Sequence, residues 1–131
     1  MDTQNRERNR LLLVEDEEEL GNLISEWLQL KNFQVTYARN TTEAILIWLK
    51  NRETIDLIVS DLRLPGIISG PDMVQKFLEE RRDTKIVLMS GFSLDHFDLP
   101  FLTLRNFIQK PFQLQALAEL IERNLEKTAA A

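Results

Sequence analysis

DLIVSDLRLPG, Asp56 to Gly66, holds an apolar run, Leu57-Ile58-Val59, that passes through Ser60 and stops on a carboxylate, Asp61. A run this short is too brief for a helix and reads as a strand buried on both faces. Such a strand does not end on a charge unless something at its end compensates or uses it. Two further runs have the same character. Leu11–Val14, LLLV, ends on Glu15 and Asp16, and Ile86–Met89, IVLM, ends on Ser90 and Gly91. Two weaker candidates alternate instead, QVTYA around Val35 and Tyr37 and NFIQ around Phe107, and alternation places them nearer a sheet edge.

Helical patterns lie between the runs. Leu20, Leu23, Ile24, Trp27 and Leu28 form one apolar stripe. Ala44, Ile45, Trp48 and Leu49 form a second, behind Asn40 as a cap and Glu43 at the third helical position. Pro71 suits the first turn of a helix running to about Arg82. Leu114, Leu117, Leu120, Ile121 and Leu125 form the last stripe. Strand and helix thus alternate, which predicts an α/β fold with a parallel sheet covered on both faces. The exception is Ser93–Arg105, where Pro100 interrupts the expected fourth helix, leaving at most a short one before it.

A chain of 131 residues fits a single domain. Residues 1–9 and 127–131 are expected to be flexible, leaving the domain at 10–126. No apolar stretch is long enough to insert into a membrane, and the polar N-terminus has no signal core, so a cytoplasmic location is expected. The absence of cysteine excludes disulfides and thiolate sites, and a lone histidine, His96, excludes multi-histidine metal sites and Ser-His-Asp hydrolysis. A net charge of -5 argues against a nucleic-acid partner.

Ligands of open parallel sheets bind beyond the carboxyl ends of the strands. Those ends deliver Glu15, Asp16, Asp61, Ser90 and Lys110. Three carboxylates together need a cation, and Mg²⁺ (or Mn²⁺) takes such hard oxygen ligands. With Lys110 as a fixed positive charge, Ser90 as a donor and Asp61 as nucleophile, the set fits phosphoryl chemistry. Blander readings stand beside this one. Glu17–Glu19 suit an acidic first helical turn, Asp61 could cap a turn, and Lys110 alone could be a solvated lysine. Trp27 and Trp48 fit packing positions, and His96 a surface one.

LLLVEDEEEL, IVSDLRLPG, IVLMSG and FIQKPF, in this order and each at a strand end, resemble the receiver domain of two-component signalling over about Leu11 to Leu125. The resemblance implies a flavodoxin-like (βα)5 doubly wound sheet of five strands ordered 2-1-3-4-5. It implies that Asp61 takes a phosphoryl group from the phosphohistidine of a histidine kinase or histidine phosphotransfer domain. It implies Mg²⁺ ligation by Glu15, Asp16, Asp61 and the backbone carbonyl of Arg63, phosphoryl contact by Lys110, and a switch through Ser90 and Phe107. A cis peptide would fall at Lys110-Pro111. Arg63 and Phe92 match positions that tune phosphoryl lifetime, with bulky Phe92 expected to slow hydrolysis.

The chain departs from the family in a βα loop after Asp61 that is one residue longer, and in a span from Ser90 to Lys110 that is shorter by about two residues. A dimer through the usual output surface is therefore not assumed, and the oligomeric state stays open. The stretch from Val87 to Ile121 most resembles receivers at the C-terminal end of hybrid histidine kinases. The chain is expected to be such an excised receiver or a single-domain regulator, with no enzymatic activity of its own beyond self-phosphorylation and self-dephosphorylation. The alternative is a degenerate receiver that docks partners without phosphorylation. A haloacid-dehalogenase-type phosphatase would need an acid where Arg63 stands, and an FMN site would be repelled by the acidic loop after the first strand.

Overall fold

The structure, a computed structural model, describes residues 8–130, with side chains to residue 126. Five strands form one parallel sheet: β1 (Arg10–Val14), β2 (Gln34–Ala38), β3 (Leu57–Asp61), β4 (Lys85–Ser90) and β5 (Phe107–Gln109), ordered β2-β1-β3-β4-β5. The helices are α1 (Glu18–Leu30), α2 (Thr41–Asn51), α3 (Gly70–Glu80) and α4 (Leu114–Ala130). The fourth crossover holds only a 3-10 turn, Leu94–His96, where Pro100 forbids more.

The short apolar runs are fully buried because the sheet has a core on each side. Leu11, Leu13, Leu57, Val59, Val87 and Met89 face α1 and α4. Leu12, Val14, Ile58, Ile86 and Leu88 face α2 and α3. The alternating candidates, β2 and β5, are the edge strands.

The helices use small residues to approach the sheet. The face of α1 that is buried is Gly21, Ile24, Ser25 and Leu28, while Leu23 is 52% exposed and Trp27 only half-buried. The expected stripe is thus rotated toward Gly21 and Ser25, which have no bulk to hold the helix away. Leu49 of α2 is likewise exposed, and Ala44 and Trp48 carry that contact. Trp48 stacks on Phe77 of α3 at 4.4 Å, and its Nε1 donates to Glu80.

The caps follow the sequence. The Asn40 side chain accepts from the Glu43 N–H at 2.8 Å, and Glu43 accepts in turn from the Arg39 N–H. Ser69 caps α3, which begins at Gly70 and ends at Glu80, two residues short of the expected end. Asn32, at φ 73°, takes the left-handed conformation just after α1. Of the segment 1–9, residues 1–7 lie outside the described range, and the Asn9 carbonyl accepts from the Gln34 N–H. The α4 backbone continues to Ala130, past the expected domain end at 126, and Ala131 lies outside the described range. No described helix is long and apolar enough to cross a membrane.

Candidate functional site

Register brings the acidic residues together. β1 and β3 run parallel with Val14 opposite Ser60, so the next residues, Glu15 just past β1 and Asp61 at the last position of β3, lie side by side. Carboxylate oxygens of Glu15, Asp16 and Asp61 lie within 4.8 Å of one another, with Glu15 and Asp61 buried and Asp16 exposed. Lys110 follows β5, and its backbone N–H donates to the Ser90 carbonyl at 2.7 Å, tying it to the end of β4. Its peptide to Pro111 is cis. From there Nζ reaches back to donate to Glu15 Oε1 and Asp61 Oδ2, each at 2.8 Å.

One ammonium faces three carboxylates. Burial pushes the Glu15 carboxyl above its usual 4.5; the Lys110 hydrogen bond offsets part of this, and the charge of Asp61 adds to it. For Lys110, burial alone would lower the ammonium, but the hydrogen bonds it donates to Asp61 and Glu15 outweigh it and raise it above 10.5. The donor set is all oxygen, negatively overcharged and partly buried. That is the chemistry of a hard divalent cation such as Mg²⁺, and the residues present fit one. Asp61 also accepts from the Arg63 N–H at 3.2 Å, so the turn-capping role coexists with the pairing to Lys110.

Ser90 is buried at the end of β4, and its Oγ accepts from the Phe92 N–H at 3.0 Å. That bond leaves the hydroxyl hydrogen free to donate elsewhere. The Arg63 guanidinium lies over the Phe92 ring at 4.5 Å, linking the loops after β3 and β4. Phe92 stacks on exposed His96 at 4.4 Å, and His96 meets the edge of Phe97. Phe107 is half-buried, packed against the α2–α3 side of the core and 6.4 Å from Phe97. A cleft of about 480 Å³ opens beside Asp16 and is lined by Arg63, Leu64, Pro65 and Ser69.

Sequence reasoning missed a group of supporting residues. Tyr37 donates from Oη to the Glu15 carbonyl at 2.8 Å. Burial, followed by the charges of Glu15 and Glu18, holds the Tyr37 phenol above its usual 10.0, so it is a donor. Arg39 pairs with both Glu18 and Glu43, bridging the starts of α1 and α2. Thr41 donates to the Ile68 carbonyl at 2.8 Å, fixing the longer loop after β3 against α2. Gly66 in that loop sits at φ 135°, and a Cβ there would lie 2.8 Å from the Thr41 backbone nitrogen. The one available sequence clue was Gly21, a glycine in the interior of a good helix, which marks a close approach.

Comparison with known proteins agrees with this geometry. The sequence profile of the response regulator receiver domain matches residues 11–122. The sensor kinase CckA of Brucella abortus is 32% identical over 89% of this chain, which spans 12% of that kinase's length. The solved receiver domain of the hybrid histidine kinase CckA superposes with a TM-score of 0.75 at 30% identity, covering 89% of this chain and 99% of that one. The response regulator TrrA of Thermotoga maritima, solved in complex with Mg²⁺ and BeF, superposes with a TM-score of 0.77 at 28% identity, covering 88% and 97%.

Proposed function

This chain belongs to the response regulator receiver family, and on that premise we propose that Asp61 accepts a phosphoryl group from the phosphohistidine of a histidine kinase or histidine phosphotransfer domain. The single observation that carries this reading is the convergence of Glu15, Asp16 and Asp61 with Lys110 bonded to two of them. Glu15, Asp16, Asp61 and the Arg63 carbonyl would hold Mg²⁺ or Mn²⁺, which when bound supplies positive charge to the phosphoryl oxygens. A solved relative, TrrA, carries Mg²⁺ and BeF, which supports the assignment.

The chain's own residues do the rest. An Asp61 oxygen forms the new P–O bond as the P–N bond to the donor imidazole breaks. The Lys110 ammonium, already 2.8 Å from Asp61 Oδ2, stands where the incoming phosphoryl oxygens gather charge. The phosphoryl group brings about -1.5 to -2 charge and strong acceptor oxygens. Ser90 turns its free hydroxyl hydrogen toward them, and Phe107 repacks into the space it leaves. Phe92, held by Arg63, narrows the approach of the hydrolytic water. The attachment of this domain to a hybrid histidine kinase is part of the same proposal and is supported by the similarity to CckA.

Incubation with acetyl phosphate and Mg²⁺ tests the reading by intact mass. The expected result is one added phosphoryl group, lost in Asp61→Asn and in the presence of a chelator. An unmodified wild-type protein that still binds Mg²⁺ would favour the phosphorylation-independent docking module.

A further inference from the structure

We propose that Tyr37 is a positioning residue for the acidic loop and that Gly21 is the notch that admits it; this rests on the reading of Glu15 and Asp16 as Mg²⁺ ligands. The peptide unit joining those two residues has its carbonyl bonded to Tyr37 Oη at 2.8 Å. The Glu15 N–H donates to the Ala38 carbonyl at 3.0 Å. Both backbone ends of Glu15 are therefore pinned to the end of β2, a strand that contributes no carboxylate to the cluster.

The pinning matters most for Asp16. Among the described residues its carboxylate is exposed and receives no hydrogen bond, unlike Glu15 and Asp61, which Lys110 holds. Its position is set by the backbone alone. Rotation of the Glu15–Asp16 peptide would swing it away from two like charges, which is the direction repulsion favours. The phenol hydroxyl of Tyr37 opposes that rotation before any cation arrives, which is preorganisation of a ligand set.

Gly21 explains how the ring gets there. It lies in the interior of α1, where glycine is less favourable than alanine. A Cβ at position 21 would overlap Cζ and Oη of Tyr37 and lie 2.6 Å from its Cε1. The ring end that would collide is the end that carries the hydroxyl. Any side chain at 21 therefore displaces the donor from the Glu15 carbonyl, and the lost helix propensity is the cost of keeping it there.

The test is Mg²⁺ affinity by calorimetry in wild type, Tyr37→Phe, Gly21→Ala and the double variant. Tyr37→Phe keeps the ring and removes only the hydroxyl. Its dissociation constant for Mg²⁺ is expected to rise about three- to tenfold, the loss of one hydrogen bond. Gly21→Ala is expected to show a similar loss, and the double variant no more than either single change. At saturating Mg²⁺, phosphorylation of Tyr37→Phe by acetyl phosphate should return to the wild-type rate, a split that general loss of structure would not give. Wild-type affinity in Tyr37→Phe overturns the proposal, whatever Gly21→Ala does to folding. Multiplying losses in the double variant overturn the notch. A wild-type protein that binds no Mg²⁺ overturns the ligand reading itself, a different failure from that of Tyr37.

Discussion

Glu15 is a costly residue in the metal-free protein, because it leaves the end of β1 for a site that burial makes hostile to charge. Lys110 relieves only part of this. Burial holds the Glu15 carboxyl above 4.5 in the fold, so its protonated form contributes stability in full below the unfolded value and that contribution is lost as pH rises through the folded one. Metal-free wild type should therefore lose stability relative to Glu15→Gln as pH climbs above 4.5. Mg²⁺ competes with that proton, so its affinity should rise over the same window. Denaturant unfolding from acid to neutral pH, with and without Mg²⁺, measures both, and a pH-independent gap between the two proteins would contradict the account. Phe92 makes a separate prediction. With the ring removed, Arg63 loses its platform and water gains access, so Phe92→Ala should shorten the lifetime of the phosphorylated protein in a decay assay. An unchanged decay rate would rule out the shielding role.

At the scale of elements, the long loop after β3 is held as a unit. Thr41 donates to the Ile68 carbonyl, the Thr41 N–H donates to the Pro65 carbonyl, and the Ile67 N–H donates to Thr42 Oγ1. Gly66 is the residue whose backbone makes that closure possible. Gly66→Ala should destabilise the fold by about 1–3 kcal/mol, measured by urea unfolding, because a side chain at φ 135° is strained and meets Thr41. A stability equal to wild type would mean that the loop relaxes freely. The buried runs were legible in the sequence because a strand covered on both sides needs no alternation, and β1, β3 and β4 appear where their apolar letters do. Helix faces were less legible. The pattern at Leu20–Leu28 was read by apolar residues alone; Ile24 and Leu28 are buried as read, but Leu23 is exposed and α1 also packs through Gly21 and Ser25, whose value lies in what they lack. Pro100 correctly removed the fourth helix, since its missing N–H is a local fact that no packing restores.

Across the whole molecule, the strand order turns sequence-distant residues into neighbours. β1 sits between β2 and β3, so the acidic loop is flanked on one side by Asp61 and on the other by Tyr37. The Asp61 side was legible, because a charge after a buried strand is conspicuous and the four strand-end fragments occur in order. The Tyr37 side was not, because a tyrosine in an edge strand looks like packing until the register places its hydroxyl against a carbonyl. On the proposed function, whatever this domain transmits onward starts from one modified side chain, Asp61. Borohydride reduction of protein treated with Mg²⁺ and acetyl phosphate, followed by peptide mass spectrometry, locates that side chain directly. The account predicts reduction of the acyl phosphate to homoserine at position 61 and nowhere else; an adduct on another residue, or none in a protein that binds Mg²⁺, would contradict it.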